Sequence, residues 1–417
     1  MPTTGSATTG PRRRGPLTVA LGASELVTWG VLVYAFSALA VPMGADLGWS
    51  PAVFSMVYTV GTLVSGASGV VVGRWMQRHS PHGVMLAGTL LACAVLVGWS
   101  LVDGVGWFLV VFAAAGVAMS ATLYEPAFAL TAAWFEEPAR ARAVAVVTLF
   151  GGLAATVFVP LAGVLATHLG WRTALLALAA VVALTAVPLQ LVLLRAGRHP
   201  ARAQPRPRIL ARTPDRAPAP VRTASFRWLA LALGLSTAVK YGVVVILVAY
   251  LVARGYPLDT AAALAGGIGL LQVVGRFATA VTARWVSGTT LSAGLFALQG
   301  VALLGLAAAP GSGTARDLVV VASIAAFGLG AGQGELLRGT LVVTLYGRED
   351  YPRVNGVLSV FVMTARALGP FVMGALAAAG GGYTRALTVG AGLALGAAVT
   401  LPVAVRRHRD EAGGAPA

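Results

Sequence analysis

A chain of 417 residues with 57% hydrophobic and 11% charged residues and a mean hydropathy of +0.81 has too little polar surface to cover a soluble globule. It reads as an all-α polytopic membrane protein, and its net charge of +16 needs no nucleic acid, since basic loops beside an anionic leaflet gain roughly 1 kcal/mol per residue. One cysteine, Cys93, excludes an intramolecular disulfide and a cysteine metal cluster; no histidine falls in mid-span, and neither cofactor nor metal is expected.

The chain opens with a tail, 1–16, in which Arg12 to Arg14, the apolar run behind them and Ala38-Leu39-Ala40 imitate a secretory signal. That run is about twice the usual length and carries Glu25 and Trp29, so an uncleaved first span is expected. Six apolar stretches follow near 17–42, 52–73, 83–102, 106–131, 143–166 and 171–194, forming an N-terminal bundle over 17–194. Each is long enough to cross the hydrocarbon core. A segment rich in Arg and Pro, 195–225, then breaks the pattern of short loops and reads as a solvated linker. Six more stretches, near 226–252, 259–282, 289–309, 317–345, 354–379 and 384–405, form a second bundle over 226–405, and a tail closes the chain at 406–417. With the amino terminus inside, 22 of the 30 Lys and Arg residues fall in internal segments, and only Arg172, Arg254, Arg316 and Arg385 lie in outer loops. This asymmetry predicts a multi-pass protein of the plasma (inner) membrane with both termini cytoplasmic.

The two sets of six echo each other at an offset of about 206 to 212 residues, which implies parallel bundles related by an axis along the membrane normal. Arg78 before Met85-Leu86-Ala87-Gly88 answers Arg284 before Leu291-Ser292-Ala293-Gly294. The loop Gly73-Arg74-Trp75-Met76-Gln77-Arg78-His79 resembles the signature of the major facilitator superfamily, with Gln77 where that signature has Asp. The resemblance makes Gly73, Arg74 and Arg78 the conformational loop motif and implies twelve helices in two six-helix bundles that rock to give alternating access. Small residues at Gly61, Ser65, Gly69 and Gly73, and at Pro370 and Gly374, are expected at the contact between bundles. Asp46-Leu47-Gly48-Trp49-Ser50, Trp134-Phe135 with Arg140 and Arg142, Gly170-Trp171-Arg172 and the stretch Gln272 to Arg276 are similar to the monocarboxylate-porter and oxalate/formate-antiporter branch.

Seven ionisable residues remain inside spans: Glu25, Glu125, Lys240, Arg276, Glu335, Arg338 and Arg366. A charge at the bilayer centre costs at least about 2.5 to 3.5 kcal/mol, so each needs a cavity, a partner or a task. Helical rise sets Arg366 roughly 18 Å and Lys240 roughly 21 Å from the inner ends of their spans, near mid-membrane. Glu25, Glu125, Glu335 and Arg338 come out in the inner third, as a proton-coupling or gating set whose members can pair. The resemblance adds roles: Arg276 falls on the span-8 arginine that holds substrate carboxylate in the branch named above, and Arg366 on its second cation. Guanidinium suits both, being a planar fork that takes a carboxylate bidentately. Lys240, Tyr241, Tyr34 and Trp29 are further candidate substrate contacts. The acid that proton-coupled monocarboxylate porters carry above the span-8 arginine is missing from Ala263-Leu264-Ala265-Gly266-Gly267, which leaves Glu25 or Glu125 for proton coupling.

The glycine run at 330–334 lacks a preceding strand and a Gly-Lys-Ser/Thr ending, so it is no phosphate loop, and no segment is free to form a nucleotide-binding domain. No nucleophile, metal set or paired acids at one depth point to an enzyme. The expectation is a secondary active transporter of a small organic anion, a mono- or dicarboxylate, with protons as the coupling ion if one is used. The alternative is proton-coupled efflux of hydrophobic drugs or antibiotics. A scaffold without transport is a third reading.

Overall fold

The structure, a computed structural model, describes residues 14–413 apart from 79, 137, 197–219, 283 and 381. Among these residues it is all helix, with twelve helices long and apolar enough to span a bilayer. The first six are α1 (Gly15–Leu47), α2 (Pro51–Arg78), α3 (Pro81–Ser100), α4 (Val105–Trp134), α5 (Ala139–Leu169) and α6 (Trp171–Ala196). The second six are α7 (Ala224–Ala253), α8 (Leu258–Thr282), α9 (Gly288–Ala307), α10 (Thr314–Ala331), α11 (Arg353–Ala378) and α12 (Gly382–Gly413). An even number of spans leaves both ends of the chain on one face, called the terminal face below. The Arg/Pro-rich linker falls largely outside the described residues.

Local chemistry sets the ends. After α1, Gly48 takes the left-handed conformation (φ 68°) that closes a helix without a Cβ penalty, and Pro51 opens α2 where no amide donor is needed. Two helices break at matched places. In α4 the helix stops at Thr122 and restarts at Tyr124, because Pro126 has no N–H to offer the Thr122 carbonyl. In α10 it stops at Ala331 and restarts at Gln333 within the glycine run, 209 positions after the first break. The continuous span expected over 317–345 is therefore two helical pieces, and the second runs to a turn at Gly347 (φ 76°). A π-helical turn, Gly30–Tyr34, widens α1 at mid-depth, a device common beside functional sites.

The first helix of each half is the most enclosed, with 83% of the apolar window of α1 and 67% of that of α7 buried. These two therefore flank the central axis. Away from the terminal face the halves are shut. Thr59 on α2 donates to the Ala367 carbonyl of α11 at 2.8 Å, and Gly374 is so close to Ser55 that a Cβ would overlap the hydroxyl. On the opposite side α5 and α8 touch through Gly163 and Ala262, Gly266 and Pro160, and Gly269 and Thr156. A cluster of Phe36, Trp49, Phe54, Trp99, Phe108 and Phe112, with ring centroids 4.9 to 6.5 Å apart, fills the N-terminal half at this closed end.

The small-residue stripe of α2 divides in a way its spacing does not show. Gly61 packs on Phe112 and Gly116 of α4, inside its own bundle, whereas a Cβ at Gly69 or Gly73 would meet nothing within 4 Å. Only the α11 part of the expected contact, at Gly374, joins the halves here. Ser65 backs onto Gly116 of α4, and the end of the stripe at Gly69 and Gly73 faces open space because α2 and α11 diverge toward the terminal face.

Candidate functional site

That divergence opens a cavity of about 780 Å³ whose walls come from α1, α2, α4, α7, α11 and the second piece of α10. Among the charged residues expected within spans, Glu125, Arg338 and Arg366 line it, together with Trp29. At mid-membrane the guanidinium of Arg366 lies between two rings, with its Cζ 4.5 Å from the centroid of Tyr241 on α7 and 5.2 Å from that of Trp29 on α1. Cation–π contact of this kind contributes about 0.5 to 2 kcal/mol, and more as water is excluded. It fixes the cation where α1, α7 and α11 meet.

The same two rings extend the site. Trp29 Nε1 donates to Glu25 Oε2 at 3.1 Å, and Glu25 is fully buried with its second oxygen unpartnered. Lys240 Nζ sits 5.3 Å from the centroid of Tyr241. A carboxyl, two rings and two cations thus form one connected set: Glu25, Trp29, Arg366, Tyr241 and Lys240. Tyr34, 6.2 Å from Trp29 between ring centroids, lies just beyond it and lines the sealed interface between the halves.

Tyr124 belongs to this set and was not anticipated. Its ring is 4.7 Å from that of Trp29 and stacked on Phe128 at 5.3 Å, and its hydroxyl occupies the space that a side chain at Gly151 would need. The available signal was Pro126 two residues downstream, which breaks α4 and turns Tyr124 and Glu125 into the first residues of a new helix. An acid in that first turn is favoured by the helix dipole.

Two expected members have other partners. Arg338 reaches α11: its Nε donates to Asn355 Oδ1 at 2.9 Å and its Nη2 to Ser359 Oγ at 2.6 Å, which pins the second piece of α10 to that helix. Arg276 is not among the cavity-lining residues. Its Nη1 donates to the Thr148 carbonyl of α5 at 3.3 Å, and its Nε points at the Gly332 carbonyl of the α10 break at 3.4 Å. Gly152 and Gly332 allow this approach, since a Cβ at either would lie 3.1 to 3.5 Å from the guanidinium. Arg276 therefore links the two halves. The side chain of Glu335 lies outside the described residues. Of the loop motif, Gly73, Arg74 and Arg78 stand at the terminal-face end of α2 with both arginines exposed, and the side chain of Gln77 lies outside the described residues.

A profile of the Major Facilitator Superfamily matches residues 21–334. No curated protein sequence matches the chain. Among solved structures, a bacterial homolog of the human lysosomal transporter Spinster, inward-facing and occupied, superposes with a TM-score of 0.73 at 16% identity over 97% of this chain and 98% of that one. The same kind of homolog, inward-facing and unoccupied, gives 0.68 at 14% identity over 96% and 97%. At these identities the likeness is one of fold.

Proposed function

This chain belongs to the major facilitator superfamily, and on that premise we propose that it carries a small organic anion, a mono- or dicarboxylate, bound at Arg366. It is a secondary transporter that works by alternating access, not an enzyme. The observation that carries the anion reading is a guanidinium in the wall of the central cavity, held at mid-membrane against two aromatic rings. A carboxylate docking there gains a charge-assisted, bidentate partner at mid-membrane. Lys240, beyond Tyr241, adds to the positive field. Arg276, engaged with carbonyls of α5 and α10, holds that side of the cleft closed in this arrangement.

With the terminal face assigned to the cytoplasm by its basic loops, the structure represents an inward-facing state. A cysteine placed at Ala203 in a Cys93→Ser background is expected to resist membrane-impermeant thiol reagents in intact cells and to react once the membrane is opened. Labelling in intact cells contradicts the orientation.

Glu25 supports proton coupling. A buried carboxyl with one oxygen unpartnered is a place to hold a proton, and its bond to Trp29 connects it to the ring that flanks Arg366. Glu125, exposed in the cavity, is the acid through which a proton can reach it from water. Glu25→Gln is expected to abolish proton-driven accumulation while sparing substrate exchange, which need not pass through an empty protonated carrier; Glu125→Gln is expected to act in the same direction. Full proton-driven uptake by both variants, measured in vesicles with an imposed pH gradient, excludes the pair. The same acid favours one second reading, proton-coupled efflux of a hydrophobic drug. That reading requires a cationic or neutral substrate whose binding survives Arg366→Gln.

A further inference from the structure

The cavity is lopsided. None of its lining residues comes from α5 or α8, which stay in contact as far as Thr148 and Arg276, about 14 Å from the start of α5 at 1.5 Å per residue. On the other side the last polar link between α2 and α11 among the described residues is Thr59 to Ala367, and from there α2 runs on for roughly 28 Å to the terminal face. Along that length the facing surfaces combine small and apolar residues with a few hydroxyls and one amide, at Thr62, Ser65, Asn355, Ser359 and Thr364. Side chains added at Gly66, Gly69 or Gly356 would meet nothing within 4 Å, and Leu63, Val70 and Val360 line the cavity while 48%, 59% and 64% exposed. The outer surfaces of the same two helices carry Val71 and Phe361, 65% and 51% exposed, as expected of residues that face acyl chains. The α2–α11 side of the cavity therefore lies beside helix surfaces suited to the acyl chains of the leaflet on the terminal face.

Resting on the anion site proposed above, we infer that the substrate is an amphipathic monocarboxylate, with its head at Arg366 and an extended apolar body in the α2–α11 groove. A cavity of about 780 Å³ with the Arg366 guanidinium at its closed end and Leu63, Val70 and Val360 in its wall is far larger than a two- or three-carbon acid occupies. A short acid would leave Leu63, Val70 and Val360 against water. An apolar tail covers them, and entry between α2 and α11 would bring such a molecule in without its leaving the bilayer.

Binding of butanoate, octanoate, dodecanoate and dodecanol to the full-length protein in lipid nanodiscs, with empty nanodiscs as the reference for partitioning, tests the inference. Affinity is expected to rise with chain length, by up to roughly fourfold per buried methylene, and to fall at least tenfold for dodecanol. Gly69→Phe, which fills the groove where nothing is displaced, should remove most of the chain-length gain. Butanoate binding as tightly as dodecanoate overturns the amphipathic substrate and leaves the anion site standing. Dodecanol binding as tightly as dodecanoate, with Arg366→Gln unchanged for both, overturns the anion site itself.

Discussion

Arg366→Gln is expected to reduce transport to near background and to weaken carboxylate binding roughly ten- to hundredfold. The loss corresponds to one charge-assisted hydrogen-bonded pair, about 1.5 to 3 kcal/mol. Lysine at the same position restores the charge without the planar fork and should recover only part of the affinity. Arg366 also holds α1 and α7 through Trp29 and Tyr241, so a purely structural role has to be separated from binding. Thermal unfolding of the two variants does this. Lysine and glutamine variants with similar melting temperatures but different substrate affinity assign the effect to the anion, whereas equal affinity loss in both, tracking a common loss of stability, assigns it to packing.

Gly374→Ala is expected to be nearly as damaging by a different route. Gly374 of α11 abuts Ser55 of α2 at the closed end of the cleft, and both the hydroxyl and the Cβ of Ser55 stand in the way of an added methyl. Overpacking of this kind costs about 1 to 3 kcal/mol, and it falls only on the state in which these ends are closed. Since each 1.4 kcal/mol is a factor of ten in population, the outward-open state should gain roughly five- to a hundredfold. Nitroxide labels at Gly104 and Gly311, in loops of opposite halves on the closed face, should report a longer distance in the variant than in the parent. Ser55→Gly in the same chain should restore both the distance and transport. Unchanged distances in Gly374→Ala show that the contact is dispensable.

The bilayer made much of this fold legible beforehand. Because hydrocarbon tolerates few unpaired charges, Glu25, Glu125, Lys240, Arg338 and Arg366 announced an interior site while they were still letters in a sequence, and the helices bring all five side chains to one cavity or to the rings beside it. Partners were harder to foresee. For Arg276, pairing with Glu335 or with backbone carbonyls is the alternative to a substrate role, yet which carbonyls it meets, those of Thr148 and Gly332, leaves no mark in a sequence. Equal spacing misled in α2, where Gly61 packs within its bundle and Gly69 faces a void, because periodicity names a helix face but not what lies opposite it. Tyr124 was missed because it reaches Trp29 only through the break that Pro126 imposes on α4.

Where an anion binds is the central question, and a structure of the protein with a bromine-labelled carboxylate bound answers it most directly. The anomalous signal should place the molecule in the cavity with its carboxylate on the Arg366 guanidinium, beside Trp29 and Tyr241. A carboxylate found on Arg276 or Arg338 instead, with Arg366 untouched, contradicts the assignment of the substrate site.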